Sequence, residues 1–240
     1  MNAELKDILF LDIETVAIVE NYNLLDDRMK AQWARKAGFF RRDEDQTDEE
    51  LFNTRAGIYA EFGKIVSIAV GMFTESDSGA LGLRTKYFTS ENEAQLLTEF
   101  KQLLEKLGPA TRMCAHNGKE FDFPYMSRRM LINSIMLPEA LNLSGKKPWE
   151  ILHLDTLELW KFGDYKHYTS LDLLAAIFNI PTSKGVMDGS QVNEVYYKEK
   201  DLKKISVYCV GDVIAVAQLY LRLKGLPLMS EKNITHAENE

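Results

Sequence analysis

The sequence has little cysteine and no clear membrane-spanning or export segment. Cys114 and Cys209 are the only cysteines among 240 residues, too few for the disulfide framework of a secreted domain. We find no apolar run that approaches the roughly 20 residues needed to cross a bilayer. The first residues lack a basic segment and a small-residue cleavage site. We therefore expect a cytoplasmic protein that does not associate with a membrane.

Positive charge is scarce relative to negative charge. Lysine and arginine together number 29 against 36 aspartates and glutamates, so the formal net charge is −7. Proteins that coat nucleic acid through a broad basic surface carry charge of the opposite sign. The balance disfavours that class, but it is compatible with an enzyme that binds one strand end locally, especially if its acids hold metal ions.

Several catalytic signatures are missing. The stretch GMFTESDSG (71–79) lacks the Gly-Lys-Ser/Thr ending of a phosphate-binding loop. The sequence contains no His-Glu-x-x-His, no paired Cys-x-x-Cys and no serine nucleophile elbow. His116 and His153 are isolated, and we expect their rings to make hydrogen bonds near strands rather than to bind metal.

Hydrophobic patterning predicts an α/β fold in which the first strands form a meander and the later strands alternate with helices. Strands are predicted at 5–13, 64–73, 83–89 and 112–117, with a fifth strand and the start of a helix within 151–160. Helices are predicted at 90–107, 123–133, 171–179 and 202–224. Ser90 and Glu93 match a capping box at the start of the first of these helices. Together these elements predict a mixed sheet of about five strands flanked by helices.

The chain shows no repeat and no linker rich in proline, glycine and serine, so residues 1–228 are predicted to form a single domain. Residues of about 20–60 form a charged insertion with scattered aromatic residues. Two interpretations are open for it: a flap over a site, or a solvated excursion without a role. Residues 229–240 are expected to form a disordered tail.

Two acids stand at the end of the first predicted strand. Asp12 and Glu14 follow the apolar run Ile8–Leu11 with only Ile13 between them. Because alternate side chains of a strand point to the same face, the two carboxylates are expected to lie side by side next to a hydrophobic core. Such a like-charged pair costs free energy unless a positive charge lies between its members. The pair therefore indicates a bound cation.

Three further acids interrupt apolar patterns. Asp122 begins a predicted helix, Asp155 follows a short apolar stretch, and Asp212 lies in the apolar last helix one turn after Tyr208. Each alone has an ordinary explanation as a helix cap, a loop acceptor or a hydrogen-bonded core acid. Together with the first pair they suit Mg²⁺ or Mn²⁺, which prefer oxygen ligands. Two such ions about 3.5–4 Å apart can stabilise both oxygens of a phosphodiester displacement.

Three short motifs resemble those of the DEDD superfamily of 3′–5′ exonucleases, which have a ribonuclease H-like fold. Residues 12–15 (DIET) match the first motif, residues 117–122 (NGKEFD) the second, and residues 208–212 (YCVGD) the third. Tyr208, with Val207 where the other branch has histidine, is typical of the Tyr branch (DEDDy). Within that branch the chain is similar to the proofreading exonuclease domain of family B DNA polymerases.

The resemblance implies a metal-dependent hydrolase that removes nucleotides from the 3′ end of nucleic acid, on single-stranded ends, as nucleoside 5′-monophosphates. It assigns two divalent cations, Mg²⁺ or Mn²⁺, to Asp12, Glu14, Asp122 and Asp212. Asp12 would bridge both ions, Glu14 and Asp212 would complete one site, and Asp122 would reach the other through water. Tyr208 would orient the attacking water, because its pKa near 10 in water disfavours a role as base.

The same resemblance suggests residues that bind the substrate. Thr15 would hold the terminal nucleotide, Phe121 would pack under the site or against a base, and Asn117 and Lys119 would complete the contacts. Further candidate phosphate contacts are Lys146, Lys147, Lys161, Lys166 and His167. The alternative for each lysine is a solvated surface position.

Two other functions are also compatible with the sequence. One is a nucleic-acid-binding module with the same fold and no activity, which the presence of all five motif residues disfavours. The other is a ribonuclease H-like nuclease that cuts internally, which the Tyr208/Asp212 helix disfavours. The choice between DNA and RNA and the oligomeric state are also open.

Overall fold

The structure is a computed structural model that describes residues 3–41, 45–76, 79–164, 168–182 and 187–237 of the chain. Its strands are β1 (Ile8–Ala17), β2 (Gly63–Glu75), β3 (Leu81–Thr89), β4 (Arg112–Ala115), β5 (Leu154–Asp155) and β6 (Ile234–His236). Its α-helices are α1 (Ala3–Lys6), α2 (Asp27–Ala37), α3 (Asp48–Arg55), α4 (Glu93–Leu107), α5 (Asp122–Ile132), α6 (Thr156–Lys161), α7 (Leu171–Ile177), α8 (Val192–Glu194) and α9 (Leu202–Leu223).

The six strands form one mixed sheet in the order β5-β4-β1-β2-β3-β6. Strands β1, β2 and β3 form an antiparallel meander, whereas β4 runs parallel to β1 and β5 parallel to β4. The predicted mixed α/β sheet is therefore confirmed, with six strands rather than about five. Strand β1 lies inside the sheet with a neighbour on each side, which fixes the position of its side chains.

The two faces of β1 pack against different helices. Leu9, Leu11 and Ile13 belong to a hydrophobic core with α4 and α5, and Ile8 and Phe10 belong to a second core with α9. Since successive side chains alternate between faces, the even-numbered residues of β1 point toward α9. The positions after Phe10 on that face are occupied by acids, and they continue the line of core residues toward the carboxyl end of the strand.

The insertion folds around a small hydrophobic core of its own. Trp33 is fully buried, and its Nε1 donates a hydrogen bond to the carbonyl oxygen of Asp48 at 2.8 Å. The rings of Phe52 and Phe62 lie 5.2 and 5.0 Å from the Trp33 ring in edge-to-face geometry. Ala17, at the end of β1, belongs to the same core. The insertion is thus packed against the sheet at the end of β1.

Two local predictions are wrong. Helix α4 begins at Glu93, and its N-cap is Asn92 rather than Ser90. The side chain of Asn92 accepts a hydrogen bond from the backbone N–H of Gln95 at 3.2 Å. Glu93 does not close a capping box, because its carboxylate is buried and accepts from Nε of Arg129 at 2.9 Å. Tertiary pairing of a buried acid with an arginine thus replaces the local hydrogen bond that the motif predicts.

The end of the chain is more ordered than its composition predicts. A disordered tail was expected from residue 229, but Glu231–Asn233 form a 3-10 turn and β6 pairs in parallel with β3. The side chain of Asn233 donates to the carbonyl oxygen of Leu81 at 3.0 Å, which fixes the turn to the sheet edge. The prediction of disorder is therefore wrong for the described part of this segment.

Helix α9 is long and apolar enough to cross a membrane by length and composition alone, contrary to the expectation that no stretch approaches this length. However, 72% of that stretch is buried inside the protein. A helix that is apolar on nearly all sides and covered by a sheet and other helices is typical of a protein core. Its packing explains its composition.

Candidate active site

The acids of β1 lie side by side against α9. Asp12 is opposite Ala69 of β2 and Glu14 is opposite Ser67, and the register shifts directly after Glu14. Such an irregularity changes the direction of the strand where the acids end. Burial raises the pKa of both carboxyls well above their ordinary values, and the charge of Glu14 raises that of Asp12 further.

Helix α9 brings the third motif to these acids. Tyr208 is almost fully buried, and its hydroxyl is hydrogen-bonded to Asp212 one turn later. Burial is the largest cause that raises the pKa of Tyr208 above 10, followed by the charges of Asp212 and the β1 acids. The phenol therefore keeps its proton at neutral pH. The charge of Asp212 also raises the pKa of both Asp12 and Glu14, which shows that the four groups share one site.

Asp122 completes the acidic cluster from a different element. It is the first residue of α5 and is 3% exposed. Burial raises its pKa to about 7, although hydrogen bonds from its own backbone N–H and from that of Ile13 act in the opposite direction. The bond to Ile13 fixes the Asp122 carboxylate beside β1. The first turn of a helix is a favourable place for such an anion.

Asp155 positions the loop that leads to Asp122. Its Oδ1 accepts from the backbone N–H of Asn117 at 2.9 Å, and its Oδ2 accepts from that of Lys119 at 3.1 Å. Asn117 has a left-handed backbone (φ 63°), and a Cβ added to Gly118 would lie 2.5 Å from the Cβ of Ala115. The second motif therefore folds as a tight turn anchored by Asp155. The ordinary explanation of Asp155 as a loop acceptor is therefore confirmed, but the sequence did not indicate which loop, because this depends on two strands meeting in space.

Four carboxylates come together in the cluster of Asp12, Glu14, Asp122 and Asp212. The pKa values of three of them, Asp12, Glu14 and Asp122, are raised, and the neighbouring charges that raise them are those of other acids. One potential ligand atom each of Asp12, Glu14 and Cys209 lies within 4.8 Å of the others. The residues therefore fit divalent cations, which the carboxylate oxygens suit.

Two cavities open on either side of the acids. The first, of about 220 Å³, is lined by Asp12, Tyr208 and Asp212 together with His116 and Tyr168. The second is a groove of about 480 Å³ that contains Glu14, Thr15 and Phe121. Its remaining lining residues are Ile13, Val16, Asn53, Thr54, Gly57, Ile58, Gly189, Ser190 and Asn193. The insertion thus contributes directly to the surroundings of the acids.

The two histidines make hydrogen bonds, as predicted. His116 Nε2 lies 2.8 Å from the carbonyl oxygen of Thr169, and its Nδ1 lies 2.9 Å from the hydroxyl of Thr156. Nδ1 of His153 accepts from the backbone N–H of Met113 at 3.2 Å. Burial lowers the pKa of both rings. His116 is thus a neutral, fixed part of the first cavity, and a carbonyl at Nε2 makes that nitrogen the donor.

His116 and Tyr168 were not predicted as site residues. Tyr168 is 64% exposed, and its ring lies 6.1 Å from the His116 ring. Partial burial is the largest cause that raises the pKa of Tyr168, followed by the charges of Asp122, Asp155 and Asp12. No local pattern around either residue indicates this position, since both reach the acids from loops.

The predicted substrate-binding residues have different surroundings. Thr15 and Phe121 line the groove, whereas Nζ of Lys119 pairs with Oε2 of Glu158 at 2.7 Å. Nζ of Lys147 lies 5.2 Å from the centre of the Trp149 ring. None of the lysines named from the sequence lines either cavity among the described residues, and Lys166 and His167 lie outside the described residues. The substrate roles remain predictions.

Comparison with known families identifies one that matches most of the chain. Residues 58–238 match the model of a family described as predicted 3′–5′ exonucleases related to the exonuclease domain of PolB. The matched range includes the Asn117–Asp122 turn, Tyr208 and Asp212, and it begins after the acids of β1. The second and third motifs therefore lie in the matched region, whereas the first motif lies outside it.

A solved structure with a similar fold is the family B DNA polymerase from the hyperthermophilic archaeon Pyrobaculum calidifontis, with a TM-score of 0.55 and 16% sequence identity. The alignment covers 90% of this chain and 24% of the polymerase chain, so this protein spans about a quarter of the polymerase's length. This likeness confirms the predicted ribonuclease H-like exonuclease fold. No curated protein matches the sequence.

Proposed function

The chain belongs to the family of predicted 3′–5′ exonucleases related to the exonuclease domain of PolB, and we propose that it is a metal-dependent enzyme of this kind. It hydrolyses phosphodiester bonds at the 3′ end of nucleic acid and releases nucleoside 5′-monophosphates. The observation that supports this proposal best is the cluster of four carboxylates, those of Asp12, Glu14, Asp122 and Asp212, beside a protonated Tyr208.

Divalent cations are required on electrostatic grounds. The described residues that line the two cavities include no lysine or arginine, so the acids would repel a phosphate group in the absence of metal. Asp12, Glu14, Asp122 and Asp212 would hold Mg²⁺ or Mn²⁺ through their carboxylate oxygens. Such cations supply a bound water of lowered pKa and offset the negative charge that develops on the reacting phosphate.

Tyr208 acts by orientation rather than as a base. Because its pKa is raised, its hydroxyl stays protonated and donates to Asp212. Its oxygen keeps lone pairs that can accept a hydrogen bond from the attacking water. Burial of the ring leaves the hydroxyl little freedom. Tyr208 would thus orient the attacking water, whose proton would pass to the bulk solvent because a bound cation would lower the pKa of that water.

His116 and Asp155 fix the surroundings of the acids. Asp155 fixes the turn that delivers Asp122 to the acids, through two backbone hydrogen bonds. His116 stays neutral and rigid beside Asp12 in the first cavity. Neither residue needs to change its protonation state during the reaction. Asp155 keeps Asp122 in place through this turn, whereas the hydrogen bonds of His116 to Thr156 and Thr169 fix the wall of the first cavity.

The direct test uses 5′-labelled linear single strands of DNA and of RNA with Mg²⁺, with Mn²⁺ and with EDTA. We expect a ladder that shortens from the 3′ side with metal, no cleavage in EDTA, and nucleoside 5′-monophosphates as products. Asp212→Asn is the matched inactive control, because it keeps the side-chain volume and removes one charge. Products with a 3′-phosphate, or equal cleavage in EDTA, would contradict the proposal.

A further inference from the structure

We propose that the charged insertion forms a basic track that binds the phosphate backbone of nucleic acid outside the acidic cluster. Four cations of the insertion define this track: Arg28, Arg35, Lys36 and Arg55. The inference rests on the proposed function and extends it to the part of the substrate that is not cleaved. It assigns a role to a segment whose composition is equally compatible with a solvated excursion.

Helix α2 concentrates positive charge in a chain of net charge −7. Its cations are Arg28, Lys30, Arg35 and Lys36. The side chain of Asp26, the N-cap, accepts a hydrogen bond from the backbone N–H of Met29 at 2.7 Å. Within the described part of the chain, no carboxylate forms an ion pair with any of these four cations or with Arg55. Their charge is therefore available to an anion from outside the protein.

Helical spacing places two of these cations on one solvent-facing side of α2. Trp33 and Ala37 are the buried residues of the helix and mark the side toward the core of the insertion. Since an α-helix has about 3.6 residues per turn, Arg28 and Arg35 lie two turns apart on the opposite side. Both are exposed. Their side chains therefore project from the same face, roughly 10 Å apart along the helix axis.

The stability of α2 explains only part of this charge pattern. Arg35 and Lys36 are in the last turn, where the helix dipole favours cations. Arg28 is in the first turn, where the same dipole disfavours a cation. Helix stability therefore does not account for the presence of Arg28 in line with Arg35, whereas a shared anionic partner accounts for both positions.

Stacked aromatic rings connect α2 with the end of α3. The rings of Phe40 and Tyr59 are stacked, with their centroids 5.4 Å apart. Nζ of Lys36 lies 4.3 Å from the centroid of the Tyr59 ring. The guanidinium carbon of Arg55 lies 5.4 Å from the centroid of the Phe40 ring. Each cation is thus held over a ring instead of an acid, which positions its charge without neutralising it.

The track leads to the groove beside the acids. Arg55 is exposed, and its sequence neighbours Asn53, Thr54 and Gly57 line the groove that contains Glu14. The acids, this groove, the stacked rings and α2 therefore follow one another along the insertion. A backbone whose scissile phosphate lies at the acids can continue over the groove onto the cations.

The cations supply a charge that the cavities lack. The described residues that line the two cavities include no lysine or arginine. Nucleic acids bind proteins largely through contacts of lysine and arginine with phosphates, so the track provides this part of the affinity. The matched family model begins at residue 58, so α2 and Arg55 precede the matched range. The track is therefore a feature of the insertion of this chain.

The experiment measures how binding depends on salt. A 5′-labelled single strand is bound in Ca²⁺ over a range of KCl concentrations, and affinity is measured by fluorescence anisotropy. The proteins are the wild type, Arg55→Gln, the double variant Arg28→Gln with Arg35→Gln, and a control with Lys106→Gln and Lys232→Gln. The control removes the same charge from exposed lysines near the edge of the sheet where β1 begins, whereas the insertion packs at the end of β1. All four proteins are first checked for equal thermal stability.

We expect the double variant to bind roughly tenfold more weakly than the wild type at low salt. The slope of log affinity against log salt should also become shallower, by roughly 0.7 for each arginine that contacts a phosphate of a single strand. Arg55→Gln should change affinity and slope in the same direction by about half as much. The control should keep the slope of the wild type. A merely structural role of the arginines would weaken binding without changing the slope.

Failure of the track and failure of the enzyme are separable. Equal slopes in the wild type and the double variant, or an equal change of slope in the control, overturn the track and leave the exonuclease proposal intact. A wild type that does not bind the strand overturns the track as well. If the wild type cleaves nothing with Mg²⁺ or Mn²⁺, the proposed activity is wrong, while the binding measurement, which needs no cleavage, still decides the track.

Discussion

The thiol of Cys209 donates a hydrogen bond to the Oδ2 of Asp12 and lies 3.3 Å from it and from the carbonyl oxygen of Asp12. Cys209 directly follows Tyr208 on α9. The same turn of helix therefore contacts Asp12 through the Cys209 thiol and carries the Tyr208 phenol into the site. The bond from the thiol lowers the pKa of Asp12, whereas burial and the neighbouring acids raise it, so Cys209 orients this carboxylate within a site of otherwise like charges.

Replacement of Cys209 tests this contact. Cys209→Ala removes the donor, and we expect kcat to fall roughly two- to tenfold, the value of one modest hydrogen bond. Cys209→Ser retains a donor and should lose less. The control is Cys114→Ala in β4, which removes the other free, buried cysteine of the same hydrophobic core. If Cys114→Ala slows the reaction as much as Cys209→Ala, general loosening of the core explains the effect.

Asp12→Asn should abolish cleavage and leave the fold intact. The side chain hardly changes in volume, while a buried carboxyl that lies among the charges of Glu14, Asp212 and Asp122 is replaced by a neutral amide. In metal-free buffer the variant should therefore unfold at a higher temperature than the wild type, and added Mg²⁺ should stabilise it less. Activity assays and thermal unfolding with and without metal check both parts. Wild-type activity in the variant would refute the metal assignment.

Tyr208→Phe removes only the hydroxyl. Because the phenol stays protonated and orients the attacking water, turnover should fall by roughly 10²–10³, the scale of losing one positioned catalytic group. KM should change little, since the ring that packs in the core remains. Single-turnover kinetics at saturating substrate make the distinction. Normal turnover with weakened binding would mean that the hydroxyl contacts the substrate instead.

The metal-free protein should lose stability as the pH rises toward neutrality. The pKa of Asp122 is about 7 in the folded state, against 3.8 for the ordinary carboxyl, and those of Asp12 and Glu14 are raised as well. The stabilising contribution of such a group is fully present below its unfolded pKa and is lost as the pH rises through its folded pKa. The melting temperature in EDTA should therefore fall between about pH 4 and pH 8.

The size of this loss is on the order of 1 kcal/mol per pH unit for one such group within that range. Asp122→Asn should flatten the dependence, because the amide does not titrate, and Mg²⁺ at pH 8 should restore stability to the wild type. Thermal unfolding across the pH range with a chelator provides the measurement. A melting temperature that increases from pH 5 to pH 8 in EDTA contradicts the raised pKa values.

Local periodicity explains which parts of the site were predictable. Alternation in a strand places Asp12 and Glu14 on one face, and helical spacing places Tyr208 next to Asp212, so both pairs are visible in the sequence. The bond from Asp155 to the turn at Asn117 joins residues 38 positions apart, and no local pattern encodes it. Side-chain anchors of this kind depend on strand order, which the patterning of single elements does not specify.

The insertion and the end of the chain also have structure that local sequence patterns do not encode. The charged composition of residues 20–60 conceals a core around Trp33 and Phe52, because the aromatic residues are widely spaced between solvated ones. Composition alone predicts a disordered tail, yet Ile234 pairs with Leu83 at the open edge of β3. An edge strand with free hydrogen-bonding groups can order a segment that has little hydrophobicity of its own.

The last prediction concerns the need for a strand end. An enzyme that removes nucleotides from the 3′ end requires a free end, whereas a nuclease that cuts internally requires only an open channel. Linear single strands should therefore be consumed with Mg²⁺ or Mn²⁺, and a covalently closed circle of the same sequence should resist under identical conditions. Addition of a single nick to the circle should restore degradation from the new 3′ end.

A control variant tests the catalytic role of the acids separately from the requirement for a 3′ end. Asp212→Ala should remove the degradation of both linear and nicked strands, because it removes an acid of the cluster and the acceptor of the Tyr208 hydroxyl. If the wild type opens intact circles as fast as it shortens linear strands, and the same variant stops both reactions, then the acids are catalytic but the enzyme cuts internally. Gel analysis of circular and linear substrates in one tube makes this comparison at equal enzyme concentration.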